Sequence, residues 1–432
     1  MAGKLNIFQK TMLQWSSLHA YNAVHVVRVP QSLDLPRLSR VIDGELEQLG
    51  LTGLSIDPRK GTFEYRGGPV RYELKRVPAA STMHTTLARE METQLNTPFM
   101  NHGALNPFRF FVVEEERSFY LGIVYFHVVA GAESIILLLK HFVNRYLGQE
   151  RSVFSYPLDV YPKGYGTLTP WNRRLLFRKL LRFPSMAAEL KKSSKPRYRD
   201  FQDQNNGVSV FTLPPGDLQG LMRMGKAWGV TLNDLFLALL LKALSPLASK
   251  RFSAERRRQV TVGSIVNIRR DLGIDSLKTF GLFLGSFVIS HPVPEGISTE
   301  TLAREIQRQT LEIKQGKLYL GTPIELWLGR LLVSLHPPNH RNKFYPKNYP
   351  LWGGITNVNL NPLWEQRDEN GAIDYFRAVS TGPVTPLVLS VTTVKNVANL
   401  GLTFKKTVFL ESEIEGFVSN FTKSIQLAEV ST

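Results

Sequence analysis

The chain has 432 residues, 43% hydrophobic and 21% charged, the make-up of a folded globular protein long enough for two cores and not of a disordered or fibrous one. It contains no cysteine, which excludes disulfides, a thiolate nucleophile and a Cys-ligated metal. Its formal net charge of +17 calls for an anionic partner without naming one.

Met1–Leu13 (MAGKLNIFQKTML) lacks the apolar region and small-residue cleavage site of a secretory signal. The most apolar stretches, Leu121–Val129 and Leu235–Leu241, are too short to span a bilayer. A cytoplasmic protein is the expectation.

In chain order, NAVHVVRVP (Asn22–Pro30) predicts a strand, and Leu35, Leu38, Val41, Ile42, Leu46 and Leu49 recur at helical spacing. Phe108–Glu115 and Ser118–Val129 predict a hairpin about the acidic turn Glu114–Glu116. A helix follows in SIILLLKHFVNRYLG, with Gly148 as its C-terminal cap. Residues 150–205 carry Pro157, Pro162, Pro170, Pro184 and Pro196 and are the poorest in core patterning, as a crossover would be. In this stretch, residues 171–205 hold ten Lys/Arg against three Asp/Glu. Trp171–Phe183 predicts a basic amphipathic helix bearing Arg173, Arg174, Arg178, Lys179 and Arg182, suited to an acidic carrier protein or an anionic membrane surface. No nucleic-acid motif accompanies the charge.

The second half opens with a strand in VSVFTLPP. Thr231 and Asp234 then stand in capping-box spacing before an apolar helix. Strands are expected in QVTVGSIVNIRR, FGLFLGSFVIS, WGGITNVNL, PLVLSVTTV and GLTFKKTVF, a helix at Leu302–Lys317 leading into a proline-rich loop, and a last helix in SEIEGFVSNFTKSI. The pattern predicts an α+β protein of two lobes, residues 1–165 and 206–432, joined by a basic crossover over 166–205.

The order of segments resembles the condensation domains of peptide synthetases and their carrier- or CoA-dependent acyltransferase relatives. The matching pieces are YNAVHVVRVPQSLDLPRLSRVI, TPFMNHGALNPFRFFVV, YFHVVAGAESI, GVTLNDLFLALL, VNIRRDLG, FGLFLGSFV, ITNVNL and GLTFKK. The resemblance implies two chloramphenicol-acetyltransferase-like lobes in a V-shaped pseudo-dimer with a central tunnel.

The family's histidine pair, three residues, aspartate and glycine align with Phe126-His127-Val128-Val129-Ala130-Gly131-Ala132. The second histidine is kept as His127; the first is Phe126, the aspartate Gly131 and the glycine Ala132. The resemblance makes His127 the general base or positioning group for an amine or hydroxyl attacking a phosphopantetheine thioester, carried by an acyl or peptidyl carrier protein or by CoA. The product would belong to a secondary-metabolite or similar biosynthetic pathway. A neutral imidazole with the reference pKa of about 6.5 suits that task. The aspartate would pair with the arginine of the Asn-x-Arg strand, here Asn267 and Arg269. With Gly131 in its place, Glu133 or a bound anion is expected to face Arg269. Asn357 aligns with the family's tunnel asparagine, Ser286 and Ser390 are expected to line the tunnel, and Gly131 and Ala132 to leave room beside His127. The resemblance equally allows a binding-only relative, or cyclisation or dehydration in the same tunnel. The other histidines show no metal-ligand spacing, so no metal and no bound cofactor is expected. A free-standing monomer is expected.

Overall fold

A computed structural model describes residues 1–79, 81–99, 105–149, 152–160, 177, 181, 188–364 and 374–430. The first half supplies strands β1 (Ala2–Lys4), β2 (Asn22–Val29), β3 (Leu54–Asp57), β4 (Thr62–Tyr65), β5 (Leu74–Arg76), β6 (Phe108–Glu114) and β7 (Phe119–Phe126). Its helices are α1 (Ile7–Ser16), α2 (Leu35–Gln48), α3 (Met83–Asn96) and α4 (Ala132–Tyr146). The second half supplies β8 (Asp159–Val160), β9 (Asn206–Leu213), β10 (Val260–Asn267), β11 (Thr279–Phe280), β12 (Leu284–His291), β13 (Gly353–Asn359), β14 (Tyr375–Val379), β15 (Leu387–Val394) and β16 (Val397–Lys405). Around them lie α5 (Pro215–Trp228), α6 (Leu232–Leu244), α7 (Thr299–Gln315), α8 (Thr322–Ser334) and α9 (Glu411–Val430).

Two large sheets organise these elements, one ordered β14-β2-β7-β6-β5 and the other β12-β10-β13-β15-β16-β9. The expected hairpin is present, with Glu114 paired to Phe119 across the acidic turn. Every residue of β7 is buried, as a central strand covered on both faces requires. Gly148 follows α4 with φ +82°, and its N–H donates to the Arg145 carbonyl at 3.1 Å. The capping box forms as well. Thr231 and Asp234 bond reciprocally at the start of α6, a helix whose leucines fill the core of the second lobe.

Two features differ from the sequence expectation. Part of the stretch after Lys317, expected as a proline-rich loop, is helical, as α8. And β14, although it lies at 375–379, pairs antiparallel with β2 in the first sheet, so the second stretch of chain does not build only the second lobe. Gly401 of β16 lets β14 cross closely: a Cβ there would sit 2.0 Å from the Arg377 carbonyl oxygen. The described part of the crossover is tied to the second half, with β8 parallel to β11 and the Ser194 N–H donating to the Gln259 carbonyl at 2.8 Å. Arg173, Arg174, Arg178, Lys179 and Arg182 lie outside the described residues. No single helix among the described residues is long and apolar enough to cross a membrane; α5 and α6 pass together only as a pair bent by 108°, and α6 is buried in the core.

Candidate active site at the lobe junction

β7 ends at Phe126, and a tight turn closed by the Val129 N–H on the Phe126 carbonyl at 2.9 Å leads into α4. His127 is the first residue of that turn. It is 8% exposed, and its N–H donates to the Tyr21 carbonyl at 3.3 Å. The Tyr21 ring stacks on the imidazole with centroids 5.4 Å apart, while Tyr125 meets it edge-on at 5.7 Å.

Nδ1 of His127 lies 3.1 Å from the Ala130 carbonyl oxygen. A carbonyl only accepts, so Nδ1 carries the proton and Nε2 keeps its lone pair. Nε2 has no hydrogen-bond partner among the described residues and is not one of the sealed polar atoms. Burial lowers the pKa to about 4, below the reference value on which the sequence expectation relied. The imidazole is therefore neutral at ordinary pH, able to accept a proton transiently but a weak resting base.

Behind it lies a polar network that sequence reading missed. Tyr375 Oη is 2.7 Å from His25 Nδ1, and Tyr125 Oη is 3.4 Å from His25 Nε2. Arg377, 3% exposed, donates from Nε to Thr392 Oγ1 at 2.8 Å and from Nη2 to the carbonyls of Thr356 at 3.1 Å and Val391 at 2.7 Å. Burial lowers the Arg377 pKa to about 10. Burial, then Arg377 and then His127, holds His25 well below the usual histidine range. The signal was available as His25 and Arg377, each flanked by apolar residues inside NAVHVVRV and YFRAV.

The partner expected for Arg269 needs correcting. Glu133 does not face it: the Glu133 carboxylate accepts from Asn267 Nδ2 and Ser276 Oγ instead. Arg269 donates to Ser134 Oγ at 2.6 Å and to the carbonyls of Thr279 at 3.1 Å and Gly281 at 3.3 Å. Its guanidinium lies 4.4 Å over the Phe283 ring. Ser134, in the first turn of α4, also accepts from the Gly281 N–H at 3.0 Å, so a hydroxyl and carbonyls stand where an aspartate was expected. Asn267 braces the same place, its Oδ1 accepting from the Arg269 N–H at 3.0 Å.

The remaining candidates scatter. A Cβ on Gly131 would meet Leu282 Cδ1 at 3.5 Å, an ordinary contact. Ala132 begins α4 and packs against the first core. Ser286 is occupied by Thr322, whose Oγ1 accepts from the Ser286 N–H at 2.7 Å. Ser390 is buried in β15 on the same face as Thr392, the residue that holds Arg377. Asn357 is two residues after Ile355 in β13 and so lies on the same face, the one Ile355 turns to the second core, and its Oδ1 is buried with no hydrogen-bond partner among the described residues. Among the described residues no group of His, Asp and Glu is placed to hold a metal ion.

Solved structures share this architecture from end to end. The cyclization-docking bidomain of EpoB from Sorangium cellulosum matches with a TM-score of 0.72 at 13% identity, over 99% of this chain and 84% of that one. The first condensation domain of the calcium-dependent antibiotic synthetase, with a substrate analogue, gives 0.71 at 14% identity over 99% and 97%. The fold is that of the condensation domains. The epimerization domain from the third module of tyrocidine synthetase B has it too, with a TM-score of 0.67 at 13% identity over 100% and 97%. No protein-family model and no curated protein sequence matches the chain. Structures named for cyclization, condensation and epimerization thus share the condensation fold with this chain, and the fold alone does not select among reactions.

Proposed function

We propose that the protein is a condensation-type acyltransferase that moves an acyl group from a phosphopantetheine thioester, on a carrier protein or CoA, to an amine or hydroxyl. The observation that carries this reading is the tautomer of His127. The Ala130 carbonyl holds the proton on Nδ1, leaving at the end of β7 an Nε2 lone pair with no partner among the described residues. An acceptor N–H or O–H aligned on that lone pair is held in line for attack, and proximity supplies much of the rate. As the new bond forms, Nε2 takes the acceptor's proton and returns it to the departing sulfur, with no covalent acyl-enzyme. The pKa of about 4 fits this brief role, because the imidazole is neutral before attack and gives the proton up readily. The net charge of +17 favours an acidic carrier or the phosphates of CoA as donor.

The test is to offer acyl-carrier and acyl-CoA thioesters with amine and hydroxyl acceptors to the purified chain and weigh the products by mass spectrometry. An acyl adduct of one acceptor is expected; no transfer from any donor contradicts the reading. The named reactions of the structural neighbours support a second one, another reaction on a tethered substrate in the same junction. It would show in that experiment as a mass change of the thioester-bound substrate without transfer.

A further inference from the structure

Tyr21 is the side chain most tightly bound up with His127. Its ring stacks on the imidazole, and its carbonyl accepts the His127 N–H. Trp15 packs edge-on against it at 5.4 Å, itself anchored by an Nε1–H bond to Tyr345 Oη at 3.0 Å. The other lobe closes on the ring through Gly382, which has φ +64° and leaves so little room that a Cβ there would lie 2.9 Å from Tyr21 Cε2. The ring is therefore fixed from both lobes.

The hydroxyl is a different matter. The two tyrosines around His25 use theirs, Tyr125 and Tyr375 both on the His25 ring nitrogens. Tyr21, 8% exposed, has no hydrogen bond for its Oη among the described residues, and that atom is not among the sealed ones. Phenylalanine would pack the same space without a hydroxyl there, so the ring's packing does not call for the Oη–H. The Tyr21 hydroxyl and His127 Nε2 belong to two stacked rings, and each is without a partner among the described residues, a donor and an acceptor free for a substrate.

We propose that Tyr21 is a further catalytic residue whose Oη–H donates a hydrogen bond to the carbonyl oxygen of the thioester. This rests on the acyl-transfer reading above. As the acceptor heteroatom bonds to the carbonyl carbon, the C=O pair moves onto oxygen and the Tyr21 hydrogen bond strengthens on that oxyanion. The pair then returns, the C–S bond breaks, and the sulfur leaves with the proton relayed through His127 Nε2. Tyr21 itself transfers no proton: burial raises its pKa, so it stays a neutral donor.

The test compares the full-length wild type, Tyr21→Phe and His127→Ala. The donors are acyl-pantetheine thioesters of graded chain length and the acceptor is hydroxylamine, with thiol release and hydroxamate mass read together. Tyr21→Phe is expected to lower kcat about 100-fold with little change in KM and an unchanged or higher Tm. If His127→Ala loses turnover while Tyr21→Phe keeps the wild-type kcat, the role of Tyr21 is overturned and the acyl-transfer reading stands. If Tyr21→Phe lowers Tm by more than about 4 °C, the hydroxyl is a structural bond and the proposal fails on that ground, whatever the turnover. If the wild type transfers no acyl group, both readings fall.

Discussion

Arg269 shows how a buried cation is held when the carboxylate expected beside it is replaced by glycine. Ser134 accepts from the guanidinium at 2.6 Å and from the Gly281 N–H at 3.0 Å, so one hydroxyl joins α4 of the first lobe to the loop after β11. Ser134→Ala is predicted to cost about 1–3 kcal/mol in denaturant unfolding, since it removes the acceptor of the buried Gly281 N–H and one acceptor of the Arg269 guanidinium. Glu133→Gln keeps a group able to accept from Asn267 and Ser276 and is predicted to cost less than about 1 kcal/mol. The reverse order of effects would return Glu133 to the role sequence reading gave it. That misassignment has a physical cause. The sequence places Glu133 and Ser134 side by side, and charge favours the glutamate, but the helical turn aims the serine at Arg269.

At the scale of elements, the legible parts were those with a local signature. The Thr231–Asp234 capping box, the acidic hairpin turn and the apolar run of β7 each declare themselves within ten or so residues. β14 did not, because YFRAV is short and carries a central arginine, and the Thr392 hydroxyl and the carbonyls of neighbouring strands are what make Arg377 tolerable there. α8 was hidden by its proximity to Pro337 and Pro338, which read as loop. The crossing of β14 over β16 depends on Gly401. Gly401→Ala is predicted to destabilise the protein by at least about 2 kcal/mol in thermal or denaturant melts. A wild-type midpoint would mean that the strands part without cost.

Across the whole molecule, the lobe junction concentrates buried groups that burial has discharged. The pKa of His127 is lowered to about 4 and that of His19 to about 3, and His25 lies well below its usual value, burial being the largest cause in each. Between pH 6.5 and 4 the unfolded chain therefore binds protons that the folded one refuses, and stability falls as pH drops through that window. His25→Phe is predicted to make the fall shallower, read as Tm against pH; an unchanged slope would contradict the sign. Lys405, 1% exposed and bonded to Gln204, acts in another window. Burial lowers its pKa to about 7, so between pH 7 and 10.5 the unfolded state again binds the extra proton and stability rises with pH. Lys405→Met is predicted to flatten that rise and to raise Tm at pH 7. The two-lobed fold was legible in the order of many short segments. The junction was not, because residues as distant as Tyr21, His127, Arg377 and Lys405 acquire their properties only when the sheets meet.

A role of His127 Nε2 in acyl transfer is read from the single-turnover rate of thioester consumption by His127→Ala beside the wild type, both checked for an intact fold by their melts. The rate is predicted to be lower by about 10²- to 10⁴-fold with thioester binding retained. A His127→Ala protein that folds and turns over at the wild-type rate would contradict it.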